Sequence, residues 1–210
     1  MRVGGVVLAA GAGSRFGGDK LGASLDGRPL VRHVIDAATA AGLDPIVIVL
    51  PPAGVLDGID LAPARRVVNE TPQEGLSSSV RLGIRALEDD PVDAAVILPG
   101  DQPRVRPDVI RALVAAAEER DDPPFVVARY AADAAPNPVL ARREIWRLAD
   151  ELAGDHGFGP VLGTHPELVR DVPFDGANPD VDTRADLDRL AEPSSSAAHA
   201  KAGAGPGDVS

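Results

Sequence analysis

Apolar runs and amphipathic stretches alternate along this chain from Val3 to about Leu190. Val3 to Ala9 is an apolar run interrupted only by glycine, the pattern of a strand buried on both faces. Leu30 to Gly42 has helical spacing, with Val31, Val34, Ile35 and Ala38 sharing a face and Gly42 suited to the C-terminal end. Pro45 to Leu50 is a second apolar run, stopped by Pro51-Pro52, and Arg65 to Val68 reads as a short strand. Leu76 to Leu87 predicts a helix. Ala94 to Leu98 offers no polar face and predicts an interior strand; Val105 to Arg120 follows as an amphipathic helix and Phe125 to Ala128 as the next strand. Past Arg129 the rhythm loosens, with loops around Asn137-Pro138, a helix from Arg143 to Leu152 and a strand from Leu168 to Val172. The alternation predicts an α/β fold with a mostly parallel sheet and ligands bound at its carboxyl edge. Glu192 to Ser210 is poor in bulky apolar residues, so one domain over residues 1–191 followed by a disordered tail over 192–210 is expected.

Composition narrows the classes. At 44% hydrophobic and 25% charged residues the chain is an ordinary globular protein, and with aromatics at 3% its core must be aliphatic. The net charge of −11 argues against a nucleic-acid partner, since such proteins carry surplus Lys and Arg. The absence of cysteine excludes a disulfide framework, a thiolate zinc site and a cysteine nucleophile. The first apolar run is too short to span a membrane, so a cytoplasmic protein is expected.

The chemistry is concentrated directly after the first strand, in LAAGAGSRFGGDK (8–20). Ala9, Ala10, Gly11 and Gly13 leave the backbone uncovered, so that N–H groups can approach phosphate oxygens. Arg15 adds a fork of donors and Lys20 a mobile point charge. The segment is not a Walker loop, because Lys20 is followed by Leu21, and Phe16 stands where G-x-G-x-x-G needs its third glycine. A glycine-rich turn with two solvated cations is the bland alternative. Asp101 follows the apolar strand and Gly100 and would face this loop, as a Mg²⁺ ligand or as a turn residue before Pro103.

LAAGAGSRFGGDK resembles the nucleotide-binding signature of MobA-like nucleotidyltransferases. The resemblance continues through NETPQEGLSSSVRLG (69–83), LPGDQP (98–103), NPVL with LAGDHGFGPVL (137–140, 152–162) and DVDTRADL (180–187). Within the family the chain is most similar to the molybdenum cofactor cytidylyltransferases. The resemblance implies a three-layer, Rossmann-like fold of the nucleotide-diphospho-sugar transferase type. It also implies transfer of a nucleoside monophosphate to a phosphorylated cofactor precursor, with Mg²⁺ and release of pyrophosphate.

The implied nucleotide-binding set is Leu8, Ala9, Ala10, Gly11, Gly13, Ser14, Arg15, Lys20, Asn69, Gly75, Ser77, Ser79 and Gly100, with Arg15, Lys20 and Asp101 catalytic. Asn137, Pro138 and Asp155 fall on the acceptor side, and Asp182 joins Asp101 at the metal. Two alternatives stay open. Asp182-Thr183 with Asp186 also reads as a helix start, and the serines at 77–79 as caps of the following helix. LAAG rather than LAGG favours CTP, although a guanylyltransferase, another cytidylyltransferase and a non-catalytic nucleotide-binding module remain as competing readings. The absence of Pro-Lys-Gln after the glycine loop disfavours the isoprenoid enzyme. Molybdopterin is the expected acceptor, with transient contact to a recipient molybdoenzyme.

Overall fold

The structure is a computed structural model that describes residues 1–192 apart from 12, 53, 55, 120–122 and 133–135. The expected tail, Glu192 excepted, lies outside the described residues. A seven-stranded sheet forms the centre, in the order β5-β4-β1-β6-β8-β7-β9. Its strands are β1 (Val3–Leu8), β4 (Ile46–Leu50), β5 (Arg65–Val68), β6 (Ala94–Pro99), β7 (Phe125–Tyr130), β8 (Val139–Arg142) and β9 (Val169–Phe174). All neighbours are parallel except at β8, which runs antiparallel to both β6 and β7.

The sheet is covered on both faces, and the apolar residues divide accordingly. Val7, Ile48, Val96 and Leu98 pack with Val31, Val34 and Ile35 of α1 (Leu30–Ala40) and with Val109, Ile110 and Leu113 of α3 (Pro107–Ala117). On the other face Val6, Val47, Val49 and Ile97 meet Val80 and Ile84 of α2 (Leu76–Arg85) and Trp146 of a 3-10 helix (Arg143–Glu151). Strands buried on both faces need no alternation, which is why β4 and β6 read as plain apolar runs.

A third, smaller cluster positions the site. Phe16, 3% exposed, packs with Leu25, Leu30 and Val181. Leu25 belongs to a hairpin of β2 (Ser24–Leu25) and β3 (Arg28–Pro29), and Leu187 and Leu190 come from α5 (Arg184–Ala191). The ring at the position where a third glycine would stand therefore anchors the first loop, and Arg184 lies over it, 5.0 Å from its centroid. Burial of a Phe side chain contributes roughly 1.5–3 kcal/mol. That contact brings the segment around Asp182 beside the loop after β1. The hairpin, β8 and the short helix α4 (Gly159–Thr164) were not evident in the sequence pattern. The predicted helix from Arg143 to Leu152 is a 3-10 helix.

Candidate active site

Beyond the carboxyl ends of β1 and β6 lies a cavity of about 850 Å³. Four charged side chains meet at one end of it. Lys20 Nζ lies 2.6 Å from Asp101 Oδ2 and 3.4 Å from Asp182 Oδ1, and Arg15 Nη1 lies 3.0 Å from Asp182 Oδ2. The Lys20 side chain is 12% exposed and that of Arg15 74%, so the ammonium is the enclosed cation and the guanidinium the one open to solvent. The helix-start reading of the DVDT segment is met. Thr183 caps α5, its hydroxyl accepting from Asp186 N–H at 3.2 Å while Asp186 Oδ2 accepts from Thr183 N–H at 2.7 Å. Asp182, one residue earlier, remains to face Lys20 and Arg15.

Asp180 enters the same end of the cavity, and Gln102 donates to it at 2.7 Å. Desolvation, and then the charge of Asp101, hold its carboxyl above the ordinary carboxylate range.

Leu8, Ala10, Gly11, Gly13 and Ser14 line the cavity beside Arg15 and Lys20. Ala9 does not: it is buried, and its N–H donates to Val49 carbonyl at 2.9 Å, continuing the sheet. Gly100 is also buried behind the wall. Its N–H donates to the Leu8 carbonyl at 2.9 Å, and a Cβ there would stand 2.8 Å from that oxygen. The glycine therefore lets β6 end against β1, which places Asp101. Asn69 is fully buried. Its Nδ2 donates to Ser78 Oγ at 2.8 Å and Ser79 Oγ at 3.0 Å, and its Oδ1 accepts from Thr71 N–H at 3.0 Å.

Among the three serines Ser79 lines the cavity, whereas Ser77 is buried outside the lining and Ser78 donates to Gly75 carbonyl at 2.8 Å. The expected serine cap is replaced by a remote one. Gly75 is the N-cap, and the N–H groups of Leu76 and Ser77 donate to Asp155 Oδ1 at 3.3 Å and Gly154 carbonyl at 3.2 Å. Gly75 has φ +91°, and a Cβ on it would stand 2.4 Å from Gly154 backbone atoms. Only glycine admits this approach.

The other end of the cavity is apolar. Leu76, Val80, Ile97, Val139, Phe158 and Leu162 line it, with Gln73, Glu74, Asn137, Asp155 and His156 among the polar lining residues. Phe158 rests on Phe125, ring centroids 5.0 Å apart. Pro138 is buried behind this wall, its carbonyl accepting from Ala128 N–H at 3.1 Å. Arg15 and Lys20 are the Lys and Arg residues among the described lining residues, and both lie at the charged end.

Residues 5–169 match the family described as MobA-like NTP transferase domain. The chain belongs to this family. Curated relatives include the bifunctional protein GlmU of Paracidovorax citrulli (strain AAC00-1), 34% identical over 127 residues that cover 53% of this chain and 24% of GlmU. Another is the 3-deoxy-manno-octulosonate cytidylyltransferase of Rhodospirillum centenum (strain ATCC 51521 / SW), 33% identical over 109 residues, 51% of this chain and 42% of that protein. The chain thus spans less than half the length of either relative. Among solved structures, Rv0371c from Mycobacterium tuberculosis H37Rv superposes with a TM-score of 0.74 at 28% identity, covering 91% of this chain and 98% of that one. The same protein in complex with manganese gives 0.69 at 27% identity, covering 90% and 98%.

The MobA-like domain has the three-layer, Rossmann-like architecture of the nucleotide-diphospho-sugar transferases. Among its described residues no helix is long and apolar enough to cross a membrane, and no group of three or more His, Asp or Glu side chains is arranged to hold a metal. Asp101 and Asp182 form a pair instead, bridged by an ammonium group. Sequence reasoning missed the apolar wall of this MobA-like domain, because single Leu, Val or Phe residues beside glycine loops cannot be told from core. It also assigned nothing to Gln102 and Asn178, buried polar residues with no distinguishing pattern.

Proposed function

We propose that this MobA-like domain transfers CMP from CTP to the terminal phosphate of molybdopterin, releasing pyrophosphate, as a cytoplasmic Mg²⁺-dependent enzyme that hands its product to a molybdoenzyme. The observation that carries the reading is the placement of Lys20 Nζ between Asp101 and Asp182, at the mouth of the loop after β1. A carboxylate pair that already encloses one cation has the donor chemistry for a divalent one, since Mg²⁺ takes one or two carboxylates plus substrate phosphates. Asp101 and Asp182 would hold it, and it would supply charge neutralisation at the α-phosphate.

The chain's own residues do the rest. The backbone around Gly11 and Gly13 cradles the triphosphate, and Arg15 and Lys20 neutralise the β- and γ-phosphates. An oxygen of the acceptor's terminal phosphate attacks the α-phosphorus in line. The new P–O bond forms as the bond to the β-phosphate oxygen breaks, and the electron pair leaves on pyrophosphate, where Lys20 and Arg15 meet the growing charge. The acceptor phosphate is already ionised at neutral pH, so no general base is needed and His156 need not act as one.

The apolar end supports an acceptor that buries part of its body against Leu, Val, Ile and Phe side chains while its phosphate turns to the charged end. An acidic sugar such as 3-deoxy-manno-octulosonate would bring a carboxylate to a wall whose described lining has no Lys or Arg. CTP rests on the LAAG segment at 8–11. The test is pyrophosphate release with each of CTP, GTP, ATP and UTP, offered molybdopterin, 3-deoxy-manno-octulosonate or glucose 1-phosphate. Release with CTP and molybdopterin in excess of every other pair is expected; preference for a sugar acceptor would overturn the assignment, and preference for GTP would correct the nucleotide.

A further inference from the structure

Two buried side-chain amides lie beside the carboxylate pair, and no step above uses them. Gln102 is 5% exposed and Asn178 3% exposed, and neither lines the cavity. Gln102 Nε2 donates to Asp180 Oδ1 at 2.7 Å, and Gln102 Oε1 accepts from Asn178 Nδ2 at 2.9 Å. A backbone bond makes the same join, Val181 N–H donating to the Asp101 carbonyl at 2.9 Å. Three hydrogen bonds thus tie residues 178–181 to residues 101–102. The carboxylates that share Lys20 Nζ, on Asp101 and Asp182, sit at the borders of this junction.

A buried amide destabilises a fold unless its hydrogen bonds are made, and an apolar side chain of equal length would fill the space without that risk. What the amide adds is register. The single backbone bond leaves the segment free to pivot, whereas Gln102, held by Asn178 at one end and gripping Asp180 at the other, removes that freedom. It also keeps Asp180 engaged, so that a third carboxylate does not compete for the cation enclosed by the other two.

We infer that Gln102 is a positioning residue for the metal half-site: its amide clamp on Asp180, braced by Asn178, sets the spacing of Asp101 and Asp182. The inference rests on the reading of those two residues as metal ligands. Outer partners of this kind typically change metal affinity by roughly 10–100-fold when removed.

The experiment is Mn²⁺ binding to the full chain without nucleotide, followed by the loss of the free-ion paramagnetic resonance signal, with CTP binding measured separately in the absence of metal. Gln102→Met fills the volume without a donor or acceptor. It should weaken Mn²⁺ binding about tenfold and leave metal-free CTP binding within about twofold, a split that a general loss of packing would not produce. Asp180→Asn still offers an amide oxygen to Gln102 and removes only a neighbouring charge, so its Mn²⁺ affinity should fall less than that of Gln102→Met and far less than that of Asp101→Asn. Asn178→Ala, which removes only the brace, should fall between Gln102→Met and Asp180→Asn and serves if Gln102→Met does not fold. Native Mn²⁺ affinity in Gln102→Met or, should that variant not fold, in Asn178→Ala, while Asp101→Asn loses binding, would overturn the clamp and leave the metal reading standing. Undiminished binding in Asp101→Asn would overturn the metal reading itself. Loss in Asp180→Asn as deep as in Asp101→Asn would make Asp180 a ligand rather than the clamped partner, and would also overturn the inference.

Discussion

The two ends of the cavity are built on opposite principles. At the charged end, segments from the start, middle and end of the chain converge on the edges of β1 and β6, and their charges are paired with one another before any ligand arrives: Lys20 with Asp101 and Asp182, Arg15 with Asp182. At the other end Ile97, Val139, Phe158 and Leu162 make an apolar wall with no Lys or Arg among the described lining residues beside it. A transfer between phosphates changes charge at one place only, so preorganised charge belongs there. An apolar wall binds substrate and transition state alike, and what it contributes is choice of substrate. Variants at the first end should therefore change turnover, and variants at the second should change acceptor KM.

The largest effect is expected from Lys20→Ala. It should cut pyrophosphate release by about 10²–10³-fold, the scale of losing one preorganised donor, with the fold intact. Because the ammonium no longer bridges Asp101 and Asp182, nucleotide-free Mn²⁺ binding to this variant should tighten. Unchanged turnover, or weaker metal binding, would break the idea that this end is self-neutralised.

Gly75→Ala should come next. Its φ of +91° and the 2.4 Å approach of Gly154 leave no room for a methyl group, so the junction between α2 and the 154–155 turn must open. Strain of this kind costs about 1–3 kcal/mol, visible as a lower Tm, and both substrates should bind more weakly because the junction borders both ends. Asn137→Ala, at the apolar end, should raise acceptor KM about tenfold, near the net worth of one hydrogen bond, with CTP affinity and kcat held. A fall in kcat alone would place Asn137 with the charged end.

The smallest effect is expected at Thr183→Ala, which removes the cap of α5 and should cost about 1 kcal/mol. It carries a pH signature. The hydrogen bonds from Thr183 hold the Asp186 carboxyl below the ordinary carboxylate range. A depressed folded-state pKa stabilises the protein above the unfolded-state pKa, and that stability is lost as pH falls through the folded value. The Tm difference between wild type and variant should accordingly shrink on acidification below the ordinary carboxylate pKa; a constant difference would mean that the cap does not act through Asp186.

The same contrast governs how much could be read from the sequence. The charged end was legible because cations in a glycine loop and aspartates at the ends of later segments stand out even with turn and cap readings open, and Arg15, Lys20, Asp101 and Asp182 do meet. Glycines and short polar residues were less legible, since one residue type serves a ligand or the backbone equally well. Ala9, Gly100, Asn69 and Ser77 are buried behind the wall, and Pro138 with them. β8 escaped notice because a four-residue antiparallel strand between Pro138 and a 3-10 helix carries no period of its own. Asp155 was expected on the acceptor side, but its bond to the α2 N-terminus joins residues 79 positions apart, which no local pattern encodes.

The central claim is that Asp101 holds catalytic charge rather than a turn. Its most direct test is pyrophosphate release from CTP with molybdopterin, wild type against Asp101→Asn, across a Mg²⁺ titration. The asparagine preserves shape and removes charge, so turnover should fall about a hundredfold or more, with the midpoint displaced to higher Mg²⁺ and Tm little changed. Equal rates with identical Mg²⁺ dependence would contradict the account and leave Asp101 as a turn residue.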